Sequence, residues 1–214
     1  MNFKAALFDM DGVIVDTEPL HRKAYFKMFQ HFNIEVSEEL FNTFTGRTTL
    51  HICKELIQRF NLNLTPDELI QKKRENFKYL FDNDPDFDLI SGVRDLFKNF
   101  QQNHIKMVLA SSASMTTINW VLQKFDLEKY FIGKISGADL KESKPHPEIF
   151  ELAAEMSGED KKDCIVIEDS TNGIRAAHAA GIYCVAYKSL HSKNQQYDLA
   201  NKVIGNYKEI HIKN

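Results

Sequence analysis

Two aspartates separated by one residue, Asp9 and Asp11, follow the short apolar run Ala5-Ala6-Leu7-Phe8 and precede Gly12. The run has the length and flanks of a buried strand, so both carboxylates fall at a strand's C-terminal edge. On an open parallel sheet that edge is where ligands bind. Burying both groups as bare charges would be costly, so a cation or a proton must accompany them. Gly12 allows a tight turn and close approach of backbone to a ligand. A simple Asp/Gly turn joining Leu7-Phe8 to Val13-Ile14-Val15 is the alternative for these residues taken alone.

Other apolar runs stop in the same way. Lys106-Met107-Val108-Leu109-Ala110 ends at Ser111-Ser112, and Cys164-Ile165-Val166-Ile167 ends at Glu168-Asp169. In a parallel sheet such ends line one edge, where residues distant in sequence converge. Lys144, in the loop Lys144-Pro145-His146-Pro147, can bring a positive charge. Singly, Ser111 suits a helix N-cap, Lys144 a solvated loop and Glu168-Asp169 a polar loop start. Together they are better explained by a shared site. Asp9, Asp11, Glu168 and Asp169 would bring about four negative charges, of which Lys144 and one divalent cation offset about three. All-oxygen donors favour Mg²⁺. A metal beside Lys and a Ser hydroxyl suits phosphate oxygens, and an adjacent carboxylate can attack phosphorus. The second carboxylate, two residues on, can exchange protons with leaving and attacking oxygens.

The elements that must position these groups follow from periodicity. Residues 18–84 carry helical patterns without strand signals: Leu20, Ala24, Met28 and Phe32 share a face behind Pro19, Ser37 opens a second helix, Thr48 or Thr49 a third, and Thr65-Pro66-Asp67-Glu68 reads as a capping box with Pro at the first turn. Strand and helix alternate elsewhere, which predicts an α/β fold with a parallel sheet covered on both faces. The expected domains are therefore a core of residues 1–17 and 85–214, interrupted by an all-helical insert at 18–84.

Composition bounds the rest. With 214 residues, 43% hydrophobic and 27% charged, the chain reads as soluble and globular. A net charge of -3 offers no field for nucleic acid. No apolar run approaches membrane-spanning length and the N-terminus lacks an h-region, so a cytoplasmic protein without membrane association is expected. Cys53, Cys164 and Cys184 form no C-x-x-C pair and read as inert thiols. Trp120 and the phenylalanines fall at helical spacing and read as core.

In order and type, Asp9-Met10-Asp11-Gly12, Ser111, Lys144-Pro145-His146-Pro147 and Ile167-Glu168-Asp169-Ser170 resemble the motifs of the haloacid dehalogenase (HAD) superfamily. Asp16-Thr17-Glu18-Pro19-Leu20-His21 and the helical insert are similar to its beta-phosphoglucomutase-like phosphatase branch. The resemblance implies a Rossmann-like core with a mobile helical cap. It implies Asp9 as nucleophile, forming an aspartyl-phosphate, and Asp11 as general acid/base. Mg²⁺ would be held by the Asp9 carboxylate, the Asp11 backbone carbonyl and Asp169, with Glu168 as ligand or immediately behind. Ser111 and Lys144 would bind the phosphoryl group, assisted by Gly12 and Ser112 around it. Asp11 argues against carbon-halogen cleavage, since dehalogenating members lack an acid/base there.

Specificity belongs to the cap, where a phosphorylated substrate calls for cations. His21, Arg47 and Lys73 are the candidates. His21 and Lys73 match positions of the mutases, although Lys72-Lys73-Arg74 also suits a solvated helix face. The arginine that mutases carry three positions after the cap glycine is replaced by Thr49, with Arg47 nearby. The expected function is a Mg²⁺-dependent phosphatase, monomeric, acting on a small phosphorylated metabolite, foremost a sugar phosphate. A beta-phosphoglucomutase is the alternative, and a catalytically silent phospho-ligand binding module a third reading.

Overall fold

Ala5–Phe8 forms β1, and all of its residues are buried, as expected for a strand covered on both faces. Side-chain alternation shows how. Phe8 packs edge-on against Phe97 and Phe131 on one face, while Ala5 and Leu7 join Phe150, Ala153 and Ile174 in a cluster on the other. The protein is described by a computed structural model over residues 3–44, 47, 49–188 and 195–212.

After β1 come the helices α1 (Glu18–His31), α2 (Glu38–Asn42), α3 (Thr49–Phe60) and α4 (Pro66–Asn83). The remainder alternates as α5 (Val93–Gln102), β2 (Lys106–Ser111), α6 (Met115–Lys124), β3 (Gly133–Ser136), α7 (Glu148–Ser157), β4 (Cys164–Glu168), α8 (Thr171–Ala180), β5 (Tyr183–Tyr187) and β6 (Lys202–Ile204). The six strands form one sheet in the order β3-β2-β1-β4-β5-β6, and every pairing is parallel. This is the α/β architecture expected from the alternation. The short β6 has no counterpart in the sequence reading, because three residues are too few to show a period.

The chain builds outward from β1 in one direction through β2 and β3, then returns to place β4, β5 and β6 on the other side. That reversal makes the C-terminal end of β1 the topological switch point of the sheet, the usual place for a ligand crevice. Register sharpens the placement. Phe8 pairs with Leu109 on β2 and with Ile167 on β4, so the next residues, Asp9, Ala110 and Glu168, lie level.

Helix ends obey local chemistry. Ser37 accepts a hydrogen bond from the Leu40 N–H at 3.2 Å, and Thr65 makes the reciprocal capping box with Glu68, an interaction whose loss costs about 1 kcal/mol. Thr49 begins α3; Thr48 lies outside the described residues. Ser111 caps no helix, for Ser114 caps α6 by accepting from Thr117 N–H.

The chain divides into two compact units, Thr17–Phe87 and the flanking segments Met1–Asp16 with Asp88–Asn214. The sheet unit is built as described above. The helical unit has its own core, in which Met28, Cys53, Leu56 and Leu69 are wholly buried. Burying a side chain such as Leu56 contributes about 1.5–3 kcal/mol, so this unit holds a core of its own. Among the described residues, no helix is long and apolar enough to cross a membrane. The three cysteines are buried free thiols. Trp120, read as core from its spacing, is only half-buried.

Candidate active site

At the switch point, the Lys144 side chain turns inward and is only 5% exposed. Its Nζ donates to Asp9 Oδ1 at 2.5 Å, to Glu168 Oε1 at 2.8 Å and to the Ala110 carbonyl at 3.1 Å. One ammonium therefore ties together the three positions that the register sets level. A solvated loop lysine is ruled out. Glu168 is wholly engaged: its Oε2 accepts from the N–H groups of Asp169 and Ser170 at 2.7 Å and from Ser170 Oγ at 3.0 Å. Such a set of donors fixes the carboxylate, which in turn fixes the lysine.

The loop after Asp9 is shaped for close approach. Met10 carbonyl accepts from the N–H groups of Val13, Ile14 and Val15, and Gly12 takes φ 79°. A Cβ on Gly12 would stand 2.2 Å from Asp169 Oδ2, so the Asp169 carboxylate lies directly against this glycine. The sequence foretold the need for a glycine here and not its neighbour. Ser111, 1% exposed, accepts from Ala113 N–H at 3.0 Å, and Ser112 beside it is exposed. Asp11 is half-buried on the same loop.

Two supporting residues escaped the sequence reading. Gly173 lies in α8 where a Cβ would fall 1.6 Å from Glu168 Oε1; only a residue without a side chain admits the carboxylate. A glycine interrupting a helical pattern was the available signal. Tyr207 donates its hydroxyl to the Val13 carbonyl and stacks on Tyr187 at 4.6 Å, pinning the Asp9 loop from the far end of the chain. No local pattern announces that contact.

Charge balance explains the electrostatics. Burial pushes the Asp9 carboxyl up to about 7, with Lys144 opposing the rise and the Glu168 and Asp11 charges adding to it. Burial likewise raises Asp169 to about 8, reinforced by Glu168 and Asp9. For Lys144, burial works against the charge, but Asp9 and Glu168 outweigh it and hold the ammonium well above the ordinary lysine value. The protein's own cation thus falls short of its carboxylates. Among the described residues, no three His, Cys, Asp or Glu side chains form a metal-binding group. The expected Mg²⁺ set draws on only two carboxylates, Asp9 and Asp169, with a backbone carbonyl. An all-oxygen donor set with excess negative charge fits a hard divalent cation.

The cap candidates meet in the helical unit. His21, Arg47 and Lys73 all line one cavity of about 210 Å³, together with Glu18, Arg22, Tyr25, Phe41 and Phe44. Lys73 departs from a solvated helix face: it is 7% exposed, its Nζ lies 2.9 Å from His21 Nδ1, and it stands over the rings of Tyr25 and Phe77. Burial, then the Arg74 charge, lowers it to about 8. Burial and the Lys73 charge lower His21 to about 3, so its imidazole is neutral. Arg47 pairs with Glu55 at 2.5 Å; Gly46 before it lies outside the described residues.

Fold and site together define a parallel α/β protein with a lysine-bridged carboxylate cluster at the switch point of its sheet. A profile of the haloacid dehalogenase-like hydrolases matches residues 6–187. A phosphorylated carbohydrates phosphatase of Thermotoga maritima is 33% identical over 195 residues, covering 89% of this chain and 87% of that protein. A fructose-1-phosphate phosphatase of Escherichia coli is 29% identical over 189 residues, covering 88% and 98%. The crystal structure of a candidate beta-phosphoglucomutase from Thermotoga maritima superposes with a TM-score of 0.84 at 28% identity, over 96% of this chain and 95% of that one. The chain belongs to the haloacid dehalogenase-like hydrolases.

Proposed function

We propose that the protein is a Mg²⁺-dependent phosphatase that hydrolyses a small phosphorylated metabolite, a sugar phosphate, through an aspartyl-phosphate on Asp9. The observation that carries this reading is Lys144 clamped between Asp9 and Glu168 at the switch point. Asp9 attacks phosphorus while Asp11 gives a proton to the departing ester oxygen. Asp11 then takes a proton from the water that attacks the aspartyl-phosphate, releasing inorganic phosphate and restoring Asp9. Lys144, Ser111 and Ser112 hold the phosphoryl oxygens, with Gly12 leaving them room. Glu168 acts through Lys144 by fixing its position. The Asp9 carboxylate, the Asp11 backbone carbonyl and Asp169 would hold Mg²⁺, which when bound neutralises charge on the phosphoryl group.

The helical unit serves as the substrate-selecting cap, with His21, Arg47 and Lys73 as the selecting residues. Relatives named for phosphorylated carbohydrates and for fructose 1-phosphate support the substrate class. Free thiols at Cys53, Cys164 and Cys184 are in keeping with the cytoplasm, where the enzyme acts as a monomer.

Phosphate release from a panel of sugar phosphates, with Mg²⁺ and with a chelator, tests the proposal. Metal-dependent release that vanishes in Asp9→Asn is the expected result. An active Asp9→Asn enzyme would exclude covalent catalysis on that residue. Conversion of beta-glucose 1-phosphate to glucose 6-phosphate without phosphate release would favour the mutase reading, to which the structural likeness to a candidate beta-phosphoglucomutase also points.

A further inference from the structure

Resting on the phosphatase reading, we propose that Tyr207 is a positioning residue for proton transfer: through the Val13 carbonyl, its hydroxyl holds the turn that presents Asp11 to the departing ester oxygen. The competing possibility is a contact that only fastens the end of the chain to the sheet unit. How Asp9 and Asp11 are each held separates the two.

Asp9 is anchored without Tyr207. Its N–H donates to the Ile167 carbonyl at 3.0 Å, continuing the ladder between β1 and β4, and its Oδ1 accepts from Lys144. Asp11 lies further on, where the backbone has left the sheet and closes on itself. Gly12 N–H donates to the Val15 carbonyl at 2.8 Å, Val13 N–H to the Met10 carbonyl at 3.3 Å, and Asp11 bridges to Val15. These bonds shape the turn from within. Tethers from outside include the Ile90 N–H on the Ile14 carbonyl at 2.9 Å, the bridge from Val15 to Leu89, and the Tyr207 hydroxyl on the Val13 carbonyl. Of these, the Tyr207 bond lands nearest to Asp11 along the chain.

Tyr207 is itself firmly held. It is 2% exposed, and its ring stacks on Tyr187 with centres 4.6 Å apart. It opens a short helical turn closed by a capping box, in which Glu209 Oε1 accepts from the N–H groups of Gly205 and Asn206 at 2.9 Å. Lys188 N–H donates to the Ile204 carbonyl at 2.8 Å, which ties this segment to the end of β5. Burial, then the neighbouring Tyr187, Asp169 and Asp9, raise the hydroxyl well above the ordinary tyrosine value, so it remains a donor. The influence of Asp9 and Asp169 also marks how near the hydroxyl stands to the reacting groups. Val13 is wholly buried. Removing the hydroxyl deprives a buried carbonyl of this donor, a loss that the turn relieves by shifting, and Asp11 shifts with it.

The test compares kcat/KM of the full-length wild type and Tyr207→Phe at saturating Mg²⁺. Phenylalanine keeps the ring stack and removes only the hydroxyl. Fructose 1-phosphate and phenyl phosphate are probes whose leaving oxygen takes the Asp11 proton as its bond to phosphorus breaks and the bond from Asp9 forms. p-Nitrophenyl phosphate releases a stable phenolate that needs no proton. Tyr207→Phe should lower kcat/KM about tenfold for the first two, part of the roughly 10²–10⁴-fold that a positioned acid supplies, and less than about twofold for the third. In the metal-free protein, backbone amide exchange should quicken across residues 10–16 and stay unchanged in β2. Glu209→Ala, which loosens the base of Tyr207 and spares its hydroxyl, should give the same pattern on a smaller scale. Equal losses on all three probes, or no loss on any, overturn the inference while the phosphatase reading survives. Absence of Asp9-dependent phosphate release from every probe overturns that reading and this inference with it.

Discussion

Lys144 in the sheet unit and Lys73 in the helical unit are both buried, yet their environments drive them in opposite directions. Lys144 meets two carboxylates and a carbonyl, and its ammonium is held firmly protonated. Lys73 meets two aromatic rings and a neutral histidine, and its pKa falls to about 8. Desolvation disfavours the charge at both sites, so the partners decide the outcome. A permanently charged, rigidly held lysine suits a phosphoryl group. Lys73 meets no carboxylate at contact distance among the described residues, and rings and an imidazole surround it instead.

The largest expected effect lies on the sheet side of this contrast. Asp9→Asn should lower kcat by about 10⁴-fold or more while the thermal transition persists, as expected for loss of a nucleophile. If kcat fell less than tenfold, the carboxylate would be structural and the two regions would differ only in charge. Lys144→Met should cost about 10²–10³-fold in kcat, and it should also destabilise the fold by about 3–5 kcal/mol, because Asp9 and Glu168 are left without their cation. Denaturant titration reads the second number directly.

Gly173→Ala sharpens the comparison further. In a helix interior the change ordinarily stabilises by about 1 kcal/mol, but here the new methyl meets Glu168 Oε1. Displacing that carboxylate moves Lys144, and a shift near 1 Å can cost about 10²-fold in rate. Full activity in this variant would show that Glu168 does not position the lysine.

The smallest effect belongs to Lys73 and concerns pH. Its pKa is near 10.4 when unfolded and about 8 in the fold. Between those values the unfolded chain holds one more proton than the folded one, so stability rises with pH across that window. The contribution is at most about 1.4 kcal/mol per pH unit. Lys73→Met should remove that part of the slope when denaturation midpoints at pH 7.5 and 10 are compared with the wild type. An unchanged slope would place Lys73 in solvent and dissolve the contrast with Lys144.

How far the sequence revealed these regions follows from the range of the interactions. Asp9, Ser111, Glu168 and Asp169 were legible because each ends an apolar run, a pattern written in adjacent residues. Lys144 was legible as a cation but not as a buried one. Lys73 was ambiguous, since Lys72 and Arg74 around it resemble a solvated face and the rings of Tyr25 and Phe77 belong to the folded unit. Gly173 showed only as a glycine interrupting a helical pattern, with nothing to say why, and Tyr207 was invisible. The first matters only where Glu168 lies, and the second reaches Val13 across 194 residues.

From its sequence alone, the chain determined which segments are helices, which are strands apart from the three-residue β6, where helices begin at Ser37 and Thr65, and which residues stand at strand ends. Period, propensity and capping act over a few neighbouring residues, so those features need no tertiary partner. The pairing of Phe8 with both Leu109 and Ile167, the turning of Lys144 inward, and the burial of Lys73 against His21 were decided by the assembled structure. Each depends on groups that become neighbours only when the hydrophobic faces close over them, which is when desolvation makes the choice of partner matter.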